Sequence, residues 1–134
     1  MGDVSAKKRD WPGAIAYYEK SLSIFRQSVG NEHPYTAEAL NGLGCVFHQM
    51  GDLVGAKVAL EQALNIRRQT LGPDALDTAS SLRDLGKLLH DMGDIETAIL
   101  YLKQAFNIYS INLGDDNYQT KELADYLSDK LVAV

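Results

Sequence analysis

Cysteine is nearly absent from this chain of 134 residues: Cys45 stands alone, so no intramolecular disulfide is available, and a reducing, cytoplasmic setting fits best. Basic residues are also outnumbered, 13 Lys and Arg against 18 Asp and Glu, for a formal net charge of −5. A phosphate backbone is held by clustered Lys and Arg, so nucleic acid is not an expected partner. No apolar run approaches the ~18 residues of a membrane span, and the first ten residues, MGDVSAKKRD, lack the apolar middle of a secretory signal. A membrane role is therefore not expected. Glycine-rich phosphate loops, HExxH and paired CxxC motifs are missing. Period-two alternation is missing too, which removes the case for a sheet.

What is present is repetition. Residues 48–72, HQMGDLVGAKVALEQALNIRRQTLG, return as HDMGDIETAILYLKQAFNIYSINLG at 90–114, a shift of 42 residues that leaves roughly half of the positions identical. A third copy lies upstream, where Asp10, Ala14, Leu22, Ile24 and Gly30 precede Asp52, Ala56, Leu64, Ile66 and Gly72 by the same 42. A fixed period of this size marks stacked units that cannot bury their apolar faces alone.

Within a unit the apolar residues recur at helical spacing. Leu40, Leu43, Gly44, Phe47 and Met50 form one stripe, and Leu53, Ala56, Leu60, Ala63, Leu64 and Ile66 form the next. Gly51 then Asp52 meets two backbone demands in succession: a left-handed cap that ends one helix, and a side-chain acceptor for the free N–H groups that open the next. Gly93-Asp94 repeats the device. The second break is longer, with Gly30, Gly72 and Gly114 as stops and Pro34 at a helix start. The expected helices are 11–29, 34–50, 53–71, 76–92, 95–113 and 118–131.

Small residues in the first helix of each pair (Gly44, Gly86), early in the second (Ala14, Ala56, Ala98) and later in it (Ala63, Ala105) resemble the tetratricopeptide repeat, in which close helix approach needs them. The 42-residue period, the long second helix ending ALNIRRQTLG, and HPYTAEALNGLG with LDTASSLRDLG are similar to the kinesin light chain variety. The resemblance implies an all-α, right-handed superhelical solenoid of about six helices in antiparallel pairs. It gives a single domain, 1–134: a partial first unit at 2–33, units at 34–75 and 76–117, and a capping helix at 118–131. Gly2-Asp3-Val4 aligns with Gly44-Cys45-Val46, so the chain is expected to begin halfway through a first helix, either as part of a longer array or as a short protein with a frayed start.

At 100° per residue, Asn41, Cys45 and His48 fall opposite the core stripe of one first helix. Arg83, Lys87 and His90 do so on the next, and Tyr126 on the last. The resemblance implies that first helices line a concave face that takes extended peptides. In kinesin light chains paired asparagines of an NNLA-like stretch touch the peptide backbone; here NGLG, RDLG and DYLS leave Asn41 as the one match. Arg83 and Lys87 make a basic centre suited to an acidic residue of a partner. An ordinary solvated helix face, with these charges balanced by Asp84 and Asp91, accounts for the same pattern. Arg67, on a second helix, is expected on a passive convex side.

Cys45, His48 and His90 offer metal-capable side chains without a fourth ligand, so no metal is expected. No catalytic set and no cofactor are expected either. The function read from this is a non-enzymatic scaffold or adaptor for a protein or peptide partner. The alternatives are a self-associating segment, pairing two copies through an N-terminal edge at Trp11, Ile15 and Tyr18, and a regulatory module of a longer enzyme.

Overall fold

A computed structural model describes residues 10–132. Among the described residues six α-helices run in order: α1 Trp11–Ser28, α2 Pro34–Met50, α3 Leu53–Thr70, α4 Leu76–Asp91, α5 Ile95–Leu113 and α6 Tyr118–Tyr126. The described residues contain no strand. The expected partial helix at residues 2–8 lies outside the described residues. At the other end the expected helix 118–131 changes character: regular α-geometry stops at Tyr126, and Leu127–Val132 continues in wider π-helical turns that keep Leu127 against the core.

The sharp turns form as the Gly-Asp pairs demand. Gly51 has φ of +90° and Gly93 of +91°, values that a side chain resists. At the first turn Gly51 N–H donates to the His48 carbonyl and Asp52 N–H to the Phe47 carbonyl at 2.9 Å, satisfying the last carbonyls of α2. The Asp52 side chain then accepts from Gly55 N–H at 3.0 Å and opens α3. The longer loops carry a clamp of their own. Thr36 Oγ1 donates to the Gly30 carbonyl at 2.6 Å, and Thr78, 42 residues on, donates to the Gly72 carbonyl at 2.7 Å.

Helices α2 and α3 pack as one hairpin, α4 and α5 as the next, and α1 packs on α2. What brings the paired helices close is the absence of side chain at one point. A Cβ on Gly44 would stand 2.7 Å from Leu60 Cγ, and one on Gly86 the same distance from Leu102 Cγ. Ala56 and Ala98, fully buried, put their backbone against those glycines. The main core runs through α3, α4, α5 and α6, and a second cluster joins Leu22 of α1 to Leu40 of α2 and Ile66 of α3. Met50, expected on the packed stripe, is exposed at the hairpin tip.

Because Ala56 has no space beside it, Ala56→Leu is expected to lower stability by about 1–3 kcal/mol, the usual cost of overpacking. Urea unfolding measures this; an unchanged midpoint contradicts the packing at Gly44.

Candidate functional site

The inner side chains of α2 and α4 do not project singly into solvent. Asn41, Cys45 and Arg83 converge on Asp84, which occupies on α4 the place of Gly42 on α2. Asp84 Oδ2 accepts from Asn41 Nδ2 at 2.9 Å and from the Cys45 thiol at 3.4 Å, while Oδ1 accepts from Arg83 Nε at 3.0 Å. Two of these donors come from one repeat and the third from the next, so the carboxylate ties neighbouring repeats together. Charge-assisted bonds of this kind are about twice as strong as neutral ones.

Asn41 is consequently occupied at both ends of its amide. Its Oδ1 accepts from Ser81 Oγ at 2.8 Å, and the side chain is only 9% exposed. The outward position assigned by helical periodicity is thus a seam between α2 and α4. Cys45 is held in the same seam. Burial pushes its thiol well above the ordinary range, and the facing Asp84 carboxylate pushes in the same direction. Arg83 also donates through Nη1 to the Tyr109 hydroxyl at 3.2 Å, which bonds to Ser80 Oγ at 2.9 Å. Burial opposes the Arg83 charge, but Asp84 and Tyr109 more than offset it, and the guanidinium stays firmly protonated.

Arg67 corrects the expectation of a passive convex residue. It is 7% exposed, and its Nη1 donates to Ser81 Oγ and to the Asp77 carbonyl, each at 3.1 Å. The side chain leaves the second helix α3 and reaches the start of α4. Its equivalent 42 residues on is Tyr109, more deeply buried and also turned toward α4. Helical periodicity gives no signal for this, because the reach of a long side chain is not a property of the face from which it starts.

The two histidines act as paired links. His48 Nε2 lies 2.6 Å from Asp91 Oδ2, joining α2 to α4, and His90 Nδ1 lies 2.7 Å from the Tyr126 hydroxyl, joining α4 to α6. Lys87 Nζ sits 5.0 Å from the centre of the Tyr126 ring, a cation–π distance. Burial raises the pKa of the Tyr126 phenol, and Asp91 adds to the effect. Cys45, His48 and His90 therefore face three different partners rather than one another. Among the described residues no group of three or more His, Cys, Asp or Glu is placed to hold a metal ion.

At the N-terminal side, Trp11, Ile15 and Tyr18 are all half-buried. The Tyr18 ring lies over Gly42, whose absent side chain makes room for it: a Cβ there would stand 2.3 Å from the ring. Between α1, α2 and Arg67 runs a groove of about 340 Å³, lined by residues that include Tyr17, Tyr18, Phe25, Glu38 and Asn41.

The family model for the tetratricopeptide repeat matches residues 1–69 and again 56–111. No curated protein matches. Among solved structures, the nearly identical TPR-like repeats of a putative kinesin light chain from Podosopora anserina align with a TM-score of 0.82 at 19% identity, over 91% of this chain and 58% of that one. BtubC (BKLC) from P. vanneervenii aligns with a TM-score of 0.82 at 18% identity, over 94% of this chain and 50% of that one. The chain spans little more than half the length of these structures, and at such identity the likeness concerns the fold.

The seam around Asp84 has a chemical signature. With the Cys45 pKa raised, the reactive thiolate is scarcer in the native protein than in the unfolded chain at any mildly alkaline pH. Alkylation by iodoacetamide is expected to be at least about tenfold slower in the native state, and to keep accelerating with pH beyond the ordinary thiol value of ~8.5. A native rate that levels off near that value contradicts the placement of Cys45.

Proposed function

Because the chain belongs to the tetratricopeptide repeat family, we propose that it is a non-catalytic scaffold or adaptor that takes a partner peptide along a concave face lined by α2, α4 and α6. Tetratricopeptide repeats generally mediate protein–protein interactions. The repeats here are of the kinesin light chain-like type. A reducing, cytoplasmic setting belongs to the same reading and suits the lone thiol of Cys45.

The observation that carries the proposal is Lys87. Its ammonium is held over the Tyr126 ring on the central first helix, half-buried, and forms no ion pair among the described residues. Arg83, one turn before it, uses Nε and Nη1 internally, which leaves Nη2 without a hydrogen-bond partner among the described residues. Together they favour a partner carrying an acidic residue near the middle of the bound segment. Asn41, His48 and His90 shape the groove through their links to Asp84, Asp91 and Tyr126, and Cys45 contributes its floor. A carboxylate meeting Lys87 in this sheltered position gains about 1.5–3 kcal/mol from a charge-assisted hydrogen bond.

A second reading has support in α1. Tyr17 and Ile24 are each about half exposed on that helix, and apolar surface beside Trp11, Ile15 and Tyr18 favours pairing of two copies. Sedimentation is expected to show a concentration-dependent dimer that Ile15→Glu weakens; a monomer at every accessible concentration removes this reading.

The groove itself is tested by charge reversal. Lys87→Glu is expected to weaken an acidic peptide at least tenfold, which is about 1.4 kcal/mol. Lys87 suits the test better than Arg83, whose reversal would set a carboxylate against Asp84. Lys103→Glu, on the exposed side of α5, is the control and is expected to change little. If Lys103→Glu abolishes binding while Lys87→Glu leaves it intact, the interaction lies on the other face.

A further inference from the structure

Equivalent positions of the repeat differ in how well they are covered. Ile66 and Ile108 are each 6% exposed, whereas Ile24, at the same place on α1, is 50% exposed. In the complete hairpins this isoleucine belongs to a core shared with the first helix of its own unit: Ile66 clusters with Leu40 of α2, and Ile108 with Leu82 of α4. Ala14, near the start of α1, is fully buried, so the bare surface lies on the second half of that helix. The complementary gap stands at α6. Leu64 and Leu82 are buried in the core that α5 closes, while their equivalents Phe106 and Ala124 are only half-buried. With Leu127 these two line an apolar groove of about 360 Å³ between α5 and α6, edged by Lys103 and Asn107. Among the described residues no second helix packs on α6.

The two gaps are halves of one hairpin. In an antiparallel pair the start of the first helix lies against the end of the second, as Leu40 lies with Ile66. Helix α6, Tyr118–Tyr126, supplies the start of a first helix, and the second half of α1 supplies the end of a second one. We propose that the occupant of the α6 groove is α1 of another copy of this chain, so that the two helices form a hairpin between molecules in the register of α2 with α3 and of α4 with α5. The proposal rests on the reading of α1 as an association edge and extends it, since the counterpart is α6 rather than a second α1. A copy of the chain fits because its α1 already carries the second-helix pattern, with Ala14, Leu22 and Ile24 at the places of Ala56, Leu64 and Ile66, and exposes the isoleucine that the groove lacks.

In that register Ile24 of one copy meets Ala124 of the other, the place that Leu40 and Leu82 take within the chain. The neighbouring residue also differs: Lys121 stands where Ala37 and Ala79 are fully buried, and Ser21 stands where Ala63 and Ala105 are. The smaller Ala124 leaves space for the lysine stem to lie along Ile24 while the ammonium reaches water. A lysine at this position weakens the contact without blocking it, which keeps association dependent on concentration. The contact is heterologous, with α1 used on one molecule and α6 on the other. Each dimer therefore still presents one edge of each kind, and growth continues head to tail along the solenoid.

Complementation between two variants tests this. Ile24→Glu changes the α1 edge and Ala124→Glu the α6 edge, and far-UV circular dichroism checks that both fold as the parent does. In sedimentation velocity the parent is expected to form dimers and then longer species as concentration rises. Each variant alone is expected to stay monomeric, and an equimolar mixture to stop at a dimer, because Ala124→Glu keeps its α1 and Ile24→Glu keeps its α6. A mixture that stays monomeric overturns the proposal. If Ala124→Glu dimerises by itself, the α6 groove is not used and the pairing of two α1 edges stands; a parent that is monomeric at every accessible concentration removes both. Lys121→Ala, which restores the residue of the inner units, is expected to strengthen association, and unchanged association contradicts the register. Should either glutamate unfold the chain, Ile24→Cys and Ala124→Cys are mixed and oxidised instead: a disulfide from position 24 to position 124 is expected, and its absence, or a link from 24 to 24, overturns the proposal.

Discussion

The carboxylate of Asp84 is the point through which the groove holds its shape. It is one charged group accepting from Asn41 and Cys45 on α2 and from Arg83 on its own helix. Neighbouring first helices in a repeat array have no loop joining them directly; their spacing is set by side chains. Here those side chains are polar and mutually satisfied, which fixes the distance between α2 and α4 more narrowly than apolar contact does, because each bond has a direction. The same arrangement accounts for the behaviour of Cys45, whose proton is retained first because burial disfavours the thiolate and then because losing it would set a second negative charge beside Asp84.

Asp84 can do this only because the helical pairs beneath it are close and regular. Gly44 against Leu60 and Gly86 against Leu102 bring each hairpin together at equivalent points 42 residues apart, and Gly-Asp turns return the chain in the same way each time. Positions 42 residues apart therefore stand side by side from one first helix to the next. His48 and His90 occupy one such pair and make analogous links to Asp91 and Tyr126. The repeat thus turns a sequence period into a row of side chains facing a common space, the kind of extended surface on which solenoids bind partners.

Much of this was legible in the sequence, since helical periodicity, capping chemistry and a fixed repeat length are local properties. The first five expected helices agree with α1 to α5 within one residue at each end. The sixth stopped short because nothing local distinguishes an α-turn from the wider turn at Leu127–Val132. Depth was less accessible. A 100° step places Asn41 away from the core of its own hairpin, but says nothing of the next hairpin that covers it, and Ser81 and Asp84 take up its amide. Arg67 was misplaced for a related reason: it begins on a second helix beside the buried Ile66, and its length carries the charge to α4. The threonines at 36 and 78 share the 42-residue spacing, and that spacing was the available signal for the loop clamp they form.

Asn41 and Asp84 bind neighbouring repeats to each other, and a double-mutant cycle measures that coupling directly. Unfolding free energies of the parent, Asn41→Ala, Asp84→Ala and the double variant, taken in urea at neutral pH, give the interaction term. A hydrogen bond to a partly buried carboxylate predicts a coupling of about 1.5–3 kcal/mol. Additive losses, with a coupling indistinguishable from zero, would mean that the two side chains do not hold each other and that the groove has no such lock.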